Sequence, residues 1–458
     1  MTDLRSDTRR DLAIAIHAAA VAGVDPRAET SRAVAARLDA AERPIWIIAL
    51  GKASEGMAQA AVDAMGAQGF ELEGGIVIPP ETVDPPHARL IVAVGNHPVP
   101  GIGSREASDH LGRVAETIGG RGTVFVLLSG GATSLVAAPA SGVSERDLVW
   151  MFEALLTSGA DITSMNAIRK RYTRWGAGRL ARALAPARVH CLIVSDVVGD
   201  DIPSIGSGPC APEKQSVQDI AALIERDGLE PFVPRPLREL LHEGSTLDAP
   251  PREGDATFER VDCTVILGNR NALDAAAAHA RSHGIAPIKI VAEPLIDDAT
   301  FTAQRLVDEL VRFREAGLPD VRGADPRAVY SCMLWGGETT VRLGAGAPAA
   351  GGRCQELALA AADALRAEGE RGEGISILAA GTDGRDGNTD AAGAVVDGET
   401  WDAVRNAGRD PADDLAGHRS HDALDAVGAL LRTGLSGTNV GDVVIGIVER
   451  PTRQALTR

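Results

Sequence analysis

Short apolar runs alternate along the chain with stretches whose apolar positions recur every three or four residues. The clearest run is Ile45-Trp46-Ile47-Ile48-Ala49-Leu50, which follows Pro44 and is closed by Gly51. An unbroken apolar run of that length between turn residues predicts a strand buried on both faces. Similar runs predict strands at 74–78, 89–94, 123–128 and 188–195. Residues 54–67 carry helical spacing, as do 144–158 behind the N-cap candidate Ser144. Asp11 to Asp39 reads as helices broken at Gly23-Val24-Asp25-Pro26. After residue 260 the alternation resumes, with strands at 262–267, 286–292, 328–334, 374–380 and 442–448. Helices are predicted between them at 272–283, 299–316 and 354–368. Strands alternating with helices predict an α/β fold, with βαβ units and a mostly parallel, covered sheet in the first half. Residues 229–260 break the pattern with five prolines and no periodicity. They place a boundary between domains at 1–245 and 255–458.

Composition narrows the function classes. The net charge is −17, which argues against a nucleic-acid surface, since phosphate neutralisation needs clustered Lys and Arg. No apolar run approaches ~18 residues, so no membrane span is expected. The segment Met1 to Asp11 lacks the apolar core of a signal peptide. Five cysteines (191, 210, 263, 332, 354) form no C-x-x-C pair, which makes a reducing cytoplasm the expected location. The 46 basic residues include only four lysines, at 52, 170, 214 and 289. In so Arg-rich a chain, a lysine kept at a turn draws notice, because its ammonium is a compact, mobile point charge.

Glycine, at 51 residues, recurs where the predicted strands end. Gly51-Lys52-Ala53-Ser54 follows the first strand, and Ser129-Gly130-Gly131-Ala132-Thr133-Ser134 follows 123–128. Ser195-Asp196-Val197-Val198-Gly199-Asp200-Asp201 follows 188–194. In the second half the same position is taken by Gly268-Asn269-Arg270-Asn271, Gly336-Gly337-Glu338-Thr339-Thr340 and Gly381-Thr382-Asp383-Gly384-Arg385-Asp386-Gly387. One such loop is an ordinary turn. Six of them, with Ser, Thr and Asp among the glycines, point to anion and phosphate handling by backbone N–H groups and helix N-termini. Asp196, directly after a buried strand, is placed to orient a hydroxyl or hold Mg²⁺. Asp383 and Asp386 read either as chemistry or as Asx-turn formers.

Familiar motifs are mostly absent. There is no G-x-x-x-x-G-K-[ST], no G-x-S-x-G and no H-E-x-x-H. His279 and His283 read as a metal pair or as groups at a helix C-terminus. Arg169-Lys170-Arg171 with Arg174 reads as a solvated helix face or an anion-binding rim.

The residues in these loops resemble the bacterial and archaeal glycerate 2-kinases, the class II or MOFRL family, some members of which carry the label hydroxypyruvate reductase. The resemblance rests on Ala49-Leu50-Gly51-Lys52-Ala53, Gly95-Asn96-His97-Pro98-Val99-Pro100 and Leu128 to Ser134. It continues through Ser195 to Asp201, Gly206-Ser207-Gly208-Pro209, Gly351-Gly352-Arg353-Cys354-Gln355-Glu356, Gly381 to Gly387 and Thr389 to Gly393. These occur in the family's order over most of the chain. The resemblance implies an N-terminal Rossmann-like α/β domain, a C-terminal α/β domain and an active-site cleft between them. It implies ATP-dependent phosphorylation of D-glycerate at the 2-hydroxyl, with Mg²⁺. Lys52 and Asp196 would be the catalytic pair, and Asp196 the metal ligand. Ser129, Gly130, Gly131, Ser134, Asn269, Glu338, Arg353 and Asp383 are the binding candidates, Arg353 as a bidentate anion clamp. Partners would be small molecules, with a homodimer as the assembly to test. The alternative is an NAD(P)H-dependent hydroxypyruvate reductase, but the dinucleotide fingerprint is missing after the first strand. A non-catalytic metabolite sensor would need only the binding loops, but neither a DNA-binding element nor a basic patch is evident.

Overall fold

A computed structural model describes residues 4–160, 162–242, 244–315, 328–341 and 350–450. The chain divides into two compact units, 26–267 and 1–25 with 268–458.

The first unit is built on six parallel strands: β1 (Ile45–Leu50), β2 (Leu72–Ile78), β3 (Leu90–Val92), β4 (Thr123–Leu128), β5 (Arg188–Val194) and β6 (Val261–Leu267). Their spatial order is β3-β2-β1-β4-β5-β6. Every residue of β1 and β4 is buried, which is why the sequence shows them as unbroken apolar runs. The two strands lie in register from Ile45 opposite Thr123 to Leu50 opposite Leu128. The strand order reverses between β1 and β4, so the crevice beyond their carboxyl ends is where such a sheet takes a ligand.

One long helix of this unit, Ile102–Ile118, carries no clear sequence signal. Its buried face includes Leu111, Val114, Ala115 and Ile118, but also Ser104, Ser108 and Gly112. The small polar residues interrupt the apolar period, yet Ser108 is fully used in the core, accepting a hydrogen bond from Trp175 Nε1 at 2.6 Å.

The second unit holds β7 (Ile288–Ile290), β8 (Tyr330–Gly337), β9 (Ile375–Gly381), β10 (Gly393–Asp397), β11 (Leu430–Leu431) and β12 (Asp442–Glu449). Their order is β11-β10-β9-β12-β8-β7. Here the pairing is mixed. Only β7–β8 is parallel; β12, last in the chain, inserts antiparallel between β8 and β9, and β10 doubles back on β9. Helix–strand alternation reports crossovers, and it cannot report where a final strand inserts.

The boundary also differs from the expected one at 245–255. The proline-rich segment stays with the first unit, because Val233, Leu237 and Leu247 pack with Leu148, Met151 and Phe152, and Tyr172 donates to Leu237 O at 3.0 Å. Strand β6 then pairs with β5, which carries the first unit to residue 267. The N-terminal helix Leu4–Ala22 belongs to the second unit. Arg9 pairs with Glu449 at 2.9 Å and donates to Ser376 Oγ at 3.1 Å.

His17 on that helix is 1% exposed, and burial lowers its pKa to about 4 against weaker help from the Gly381 carbonyl and Asp442. A histidine whose folded pKa is depressed contributes stability that is fully present above its unfolded value of ~6.5 and is lost as pH falls toward 4. The melting temperature should therefore fall more steeply over that window than in a His17→Leu variant, by roughly 5 °C or more. Parallel pH-dependent melts check this, and identical slopes would show that His17 does not couple to folding.

Candidate active site

The turn after β1 and the turn after β4 are locked together. Lys52 N donates to Gly130 O at 2.9 Å, Ala53 N to Ser129 Oγ at 3.0 Å, and Ser129 N to Leu50 O at 2.9 Å. Gly51 has φ +121°, and a methyl group on its Cα would stand 2.2 Å from Ser129 Oγ and 2.5 Å from Ser129 O. Only glycine suits that backbone and that approach. Ser129 is 2% exposed, so its hydroxyl fastens the two turns rather than facing solvent. Ser134 is used similarly, donating to Gly131 O at 3.2 Å. Gly131, at φ +85°, opens the short helix Ala132–Leu135. Lys52 itself is exposed.

Asp196, half-buried at the end of β5, lies against the same turn. A methyl on Gly130 would come within 2.0 Å of its Oδ2 and 2.7 Å of its Cγ. A methyl on Gly131 would stand 3.3 Å from Lys52 Cγ and 3.1 Å from His97 Cδ2. Lys52, Gly130, Gly131 and Asp196 are thus brought together at the carboxyl ends of β1, β4 and β5, with His97 beside them. His97 appeared in the sequence only inside the Gly95-Asn96-His97-Pro98 motif. Its local signal, one histidine in a glycine-bounded turn, is too weak to read alone. Partial burial, and secondly the Lys52 ammonium, push its pKa down to about 4, so it is neutral at pH 7.

Gly130→Ala should displace the Asp196 carboxylate, which can swing away, while leaving the backbone intact. We expect turnover to drop at least ~10-fold with an unchanged melt, following the sensitivity of catalysis to small misplacements. A variant of normal activity would mean that the 2.0 Å approach has no functional consequence.

The remaining candidates gather in the second unit. Arg353 heads the helix Arg353–Ala367 and places its guanidinium edge on Asp442, at 2.6 Å (Nε–Oδ2) and 2.9 Å (Nη2–Oδ1). Its Nη1 meets Glu338 Oε1 at 2.9 Å. Burial opposes its charge, but these two carboxylates outweigh burial and its pKa is raised. Arg353 is therefore a bidentate clamp, as its fork allows, on a carboxylate of this chain. Asn269 donates from Nδ2 to the carbonyls of Val440 and Asp442, both at 2.9 Å, which ties the start of its helix to β12. Asp383 Oδ1 accepts from Arg385 N at 3.0 Å, an Asx turn. Asp386, 3% exposed, receives Cys354 N at 3.2 Å and Gln355 N at 2.8 Å at the helix start. Burial, and then Asp442, raise its pKa to about 6.

Two other clusters resolve as structural. Arg169, Lys170 and Arg171 are all under 10% exposed, so they form neither a solvated face nor an anion rim. Lys170 pairs with the buried Glu213 at 3.1 Å, and the Arg169 guanidinium lies 4.9 Å over the Phe152 ring. The His279 and His283 rings lie tilted to each other with centroids 4.2 Å apart, and His283 Nδ1 is 3.0 Å from His279 O. No group of three or more metal-ligating side chains suited to a metal ion occurs among the described residues. No helix there is long and apolar enough to cross a membrane.

Residues 12–242 match a family model described as a domain of unknown function, DUF4147, and residues 331–442 match the MOFRL family. The chain is 33% identical over 407 residues to D-glycerate 2-kinase of Thermotoga maritima, covering 88% of this chain and 90% of the relative. It is 36% identical over 428 residues to an Agrobacterium vitis protein provisionally named a hydroxypyruvate reductase, covering 93% and 91%. The crystal structure of the Thermotoga maritima glycerate kinase matches with a TM-score of 0.79 at 32% identity, covering 96% of this chain and all of that one. With both family units present in order and relatives of this likeness along most of its length, the chain belongs to the MOFRL-type glycerate kinase family.

Proposed function

We propose that the chain is an ATP-dependent glycerate 2-kinase that phosphorylates D-glycerate at the 2-hydroxyl to give 2-phosphoglycerate and ADP. The observation that carries this reading is the convergence of Lys52, Gly130, Gly131 and Asp196 where the strand order of the parallel sheet reverses. Phosphoryl transfer asks a protein mainly for positioning and for neutralising charge on the transferred group. Lys52, exposed on a turn that Ser129 holds rigid, supplies a mobile positive charge. Asp196 supplies a carboxylate that takes the proton of the 2-hydroxyl as that oxygen bonds to the γ-phosphorus and the bond to ADP breaks. Gly131 leaves room for a phosphate to approach the backbone.

The donor set also fits Mg²⁺, which keeps several waters and needs only one or two carboxylates beside substrate phosphates. Asp196 is the carboxylate at this turn, half-buried and fixed against Gly130. When bound there, Mg²⁺ neutralises phosphate charge. In the second unit, Arg353 is a positioning residue that orients Glu338 and Asp442. All five cysteines are free, which suits a reducing cytoplasm.

A reductase reading is favoured only by the provisional name that two of the relatives carry. The turn after β1 is Gly51-Lys52-Ala53-Ser54, without the glycines that admit a dinucleotide pyrophosphate. Two assays on one preparation separate the readings. D-glycerate, ATP and Mg²⁺ should yield 2-phosphoglycerate by phosphorus NMR, and hydroxypyruvate with NADH should show no oxidation. Formation of 3-phosphoglycerate would overturn the regiochemistry, and NADH oxidation without any phosphorylated product would overturn the class.

A further inference from the structure

The turn after β3 brings a histidine to the Lys52 site and fixes it there. Gly95 packs so tightly on the short helix that a methyl on it would stand 2.3 Å from Leu135 O. Asn96 is tied to the start of the helix Ile102–Ile118: its N–H donates to Ser104 Oγ at 2.9 Å, and its Oδ1 accepts from Ser104 N at 3.2 Å. Gly101 and Gly103 leave space for that amide, since a methyl on either would stand 2.9 Å from Asn96 Oδ1. The residue between these anchors and Pro98 is His97. A methyl on Gly131 would stand 3.3 Å from His97 Nε2, the same distance as from Lys52 Cγ. The imidazole and the lysine stem thus flank one glycine at the start of the Ala132–Leu135 helix. Among the described residues, no side chain or backbone group hydrogen-bonds either ring nitrogen. The residue as a whole is exposed while its ring is partly enclosed beside Gly131 and Lys52, so a ligand at this turn can reach its nitrogens.

We propose that His97 is a substrate-contacting residue that donates a hydrogen bond from Nε2 to the same anionic group that Lys52 neutralises. The proposal rests on the reading of the Lys52 turn as the phosphoryl-transfer site. The two side chains divide the work. Lys52 brings the charge, and His97, neutral because of partial burial and of that ammonium, brings direction without a second positive charge. A neutral donor also stays in place after the transferred group has left, where a second cation would hold the product.

Three variants test this. His97→Phe keeps a ring on the Gly131 surface and removes both nitrogens. His97→Gln keeps a neutral N–H near the Nε2 position, and His97→Ala removes everything. With melts unchanged, we expect Phe and Ala to lose about 10- to 100-fold in kcat/KM, the range for a hydrogen bond to a charged group, and Gln to recover most of it. The loss also identifies the anion. A raised KM for D-glycerate points to the substrate carboxylate, and a lowered kcat with both KM values kept points to the transferring phosphoryl group. Full activity in His97→Phe would overturn the proposal, as would a Gln variant no better than Ala. A wild-type protein that makes no 2-phosphoglycerate would instead overturn the kinase reading. Nitrogen-15 NMR of the imidazole does not depend on turnover. Adding D-glycerate or ATP should move the His97 Nε2 resonance, and a resonance that neither ligand moves also overturns the proposal.

Discussion

Asp196→Asn should reduce kcat by ~10²- to 10⁴-fold, the range by which a positioned general base contributes. The amide keeps the shape that rests against Gly130 but takes no proton and binds a cation poorly. Its effect on folding should be small, because Asp196 is only half-buried at a strand end. The measurement is steady-state kinetics with both substrates saturating, beside a thermal melt. If the carboxylate acts on the 2-hydroxyl, KM for ATP should change little. If it acts through Mg²⁺, higher Mg²⁺ should restore part of the rate. Turnover near the wild-type value would make Asp196 a purely structural residue of the β5 turn.

Lys52→Ala should lose ~10²- to 10³-fold in kcat/KM, comparable with removal of one preorganised charge from a transition-state site. Lys52→Arg is the sharper variant. If positive charge alone mattered, Arg would suffice, and this chain uses Arg at 42 of its 46 basic positions. The planar guanidinium is larger and cannot follow a moving phosphoryl group as a point charge does. We expect Lys52→Arg to lose at least ~10-fold, or ~1.4 kcal/mol of transition-state stabilisation. The Lys52 backbone N–H bonds to Gly130 O, so either substitution leaves the turn's own fastening in place and the melt should hold. Full activity in the Ala variant would remove Lys52 from the mechanism. A collapsed melt would show that its side chain serves the turn instead.

What the sequence discloses follows from how local each feature is. Strands β1 and β4 are legible because burial on both faces leaves Thr123 as the one polar position in the two runs, and β5 because its run is apolar from Cys191 to Val194. The turns are legible because glycine lies at, or within two residues of, the ends of β1, β4, β6, β8 and β9. Two things are hidden. The first is partnership across the chain: Arg353 reads as a clamp, and only folding reveals that it closes on Asp442, 89 positions away. Lys170 and Glu213 are hidden in the same way, since a basic triplet looks solvated until a buried acid is found opposite. The second is use of small polar residues as core, as on the helix Ile102–Ile118, where Ser104 and Ser108 sit at positions that pattern reading reserves for apolar side chains. Ser129 and Ser134 show the reverse. Both read as ligand contacts and are occupied by their own turns.

The N-terminal helix has a consequence for how the protein is made. Residues 1–25 leave the ribosome before the first unit but belong to a unit whose other residues, from 268 on, are made after it. The first unit, 26–267, is an insertion within the second. During synthesis it can complete its parallel sheet while the helix bearing Arg9 and His17 waits for β9 and β12. Local folding therefore finishes in the middle of the chain before its ends meet, and the closing contacts are those of largest sequence separation, such as Arg9 with Glu449. A fragment cut at 268 would start without the helix that ends this wait, whereas a fragment of 26–267 keeps every strand of its own sheet.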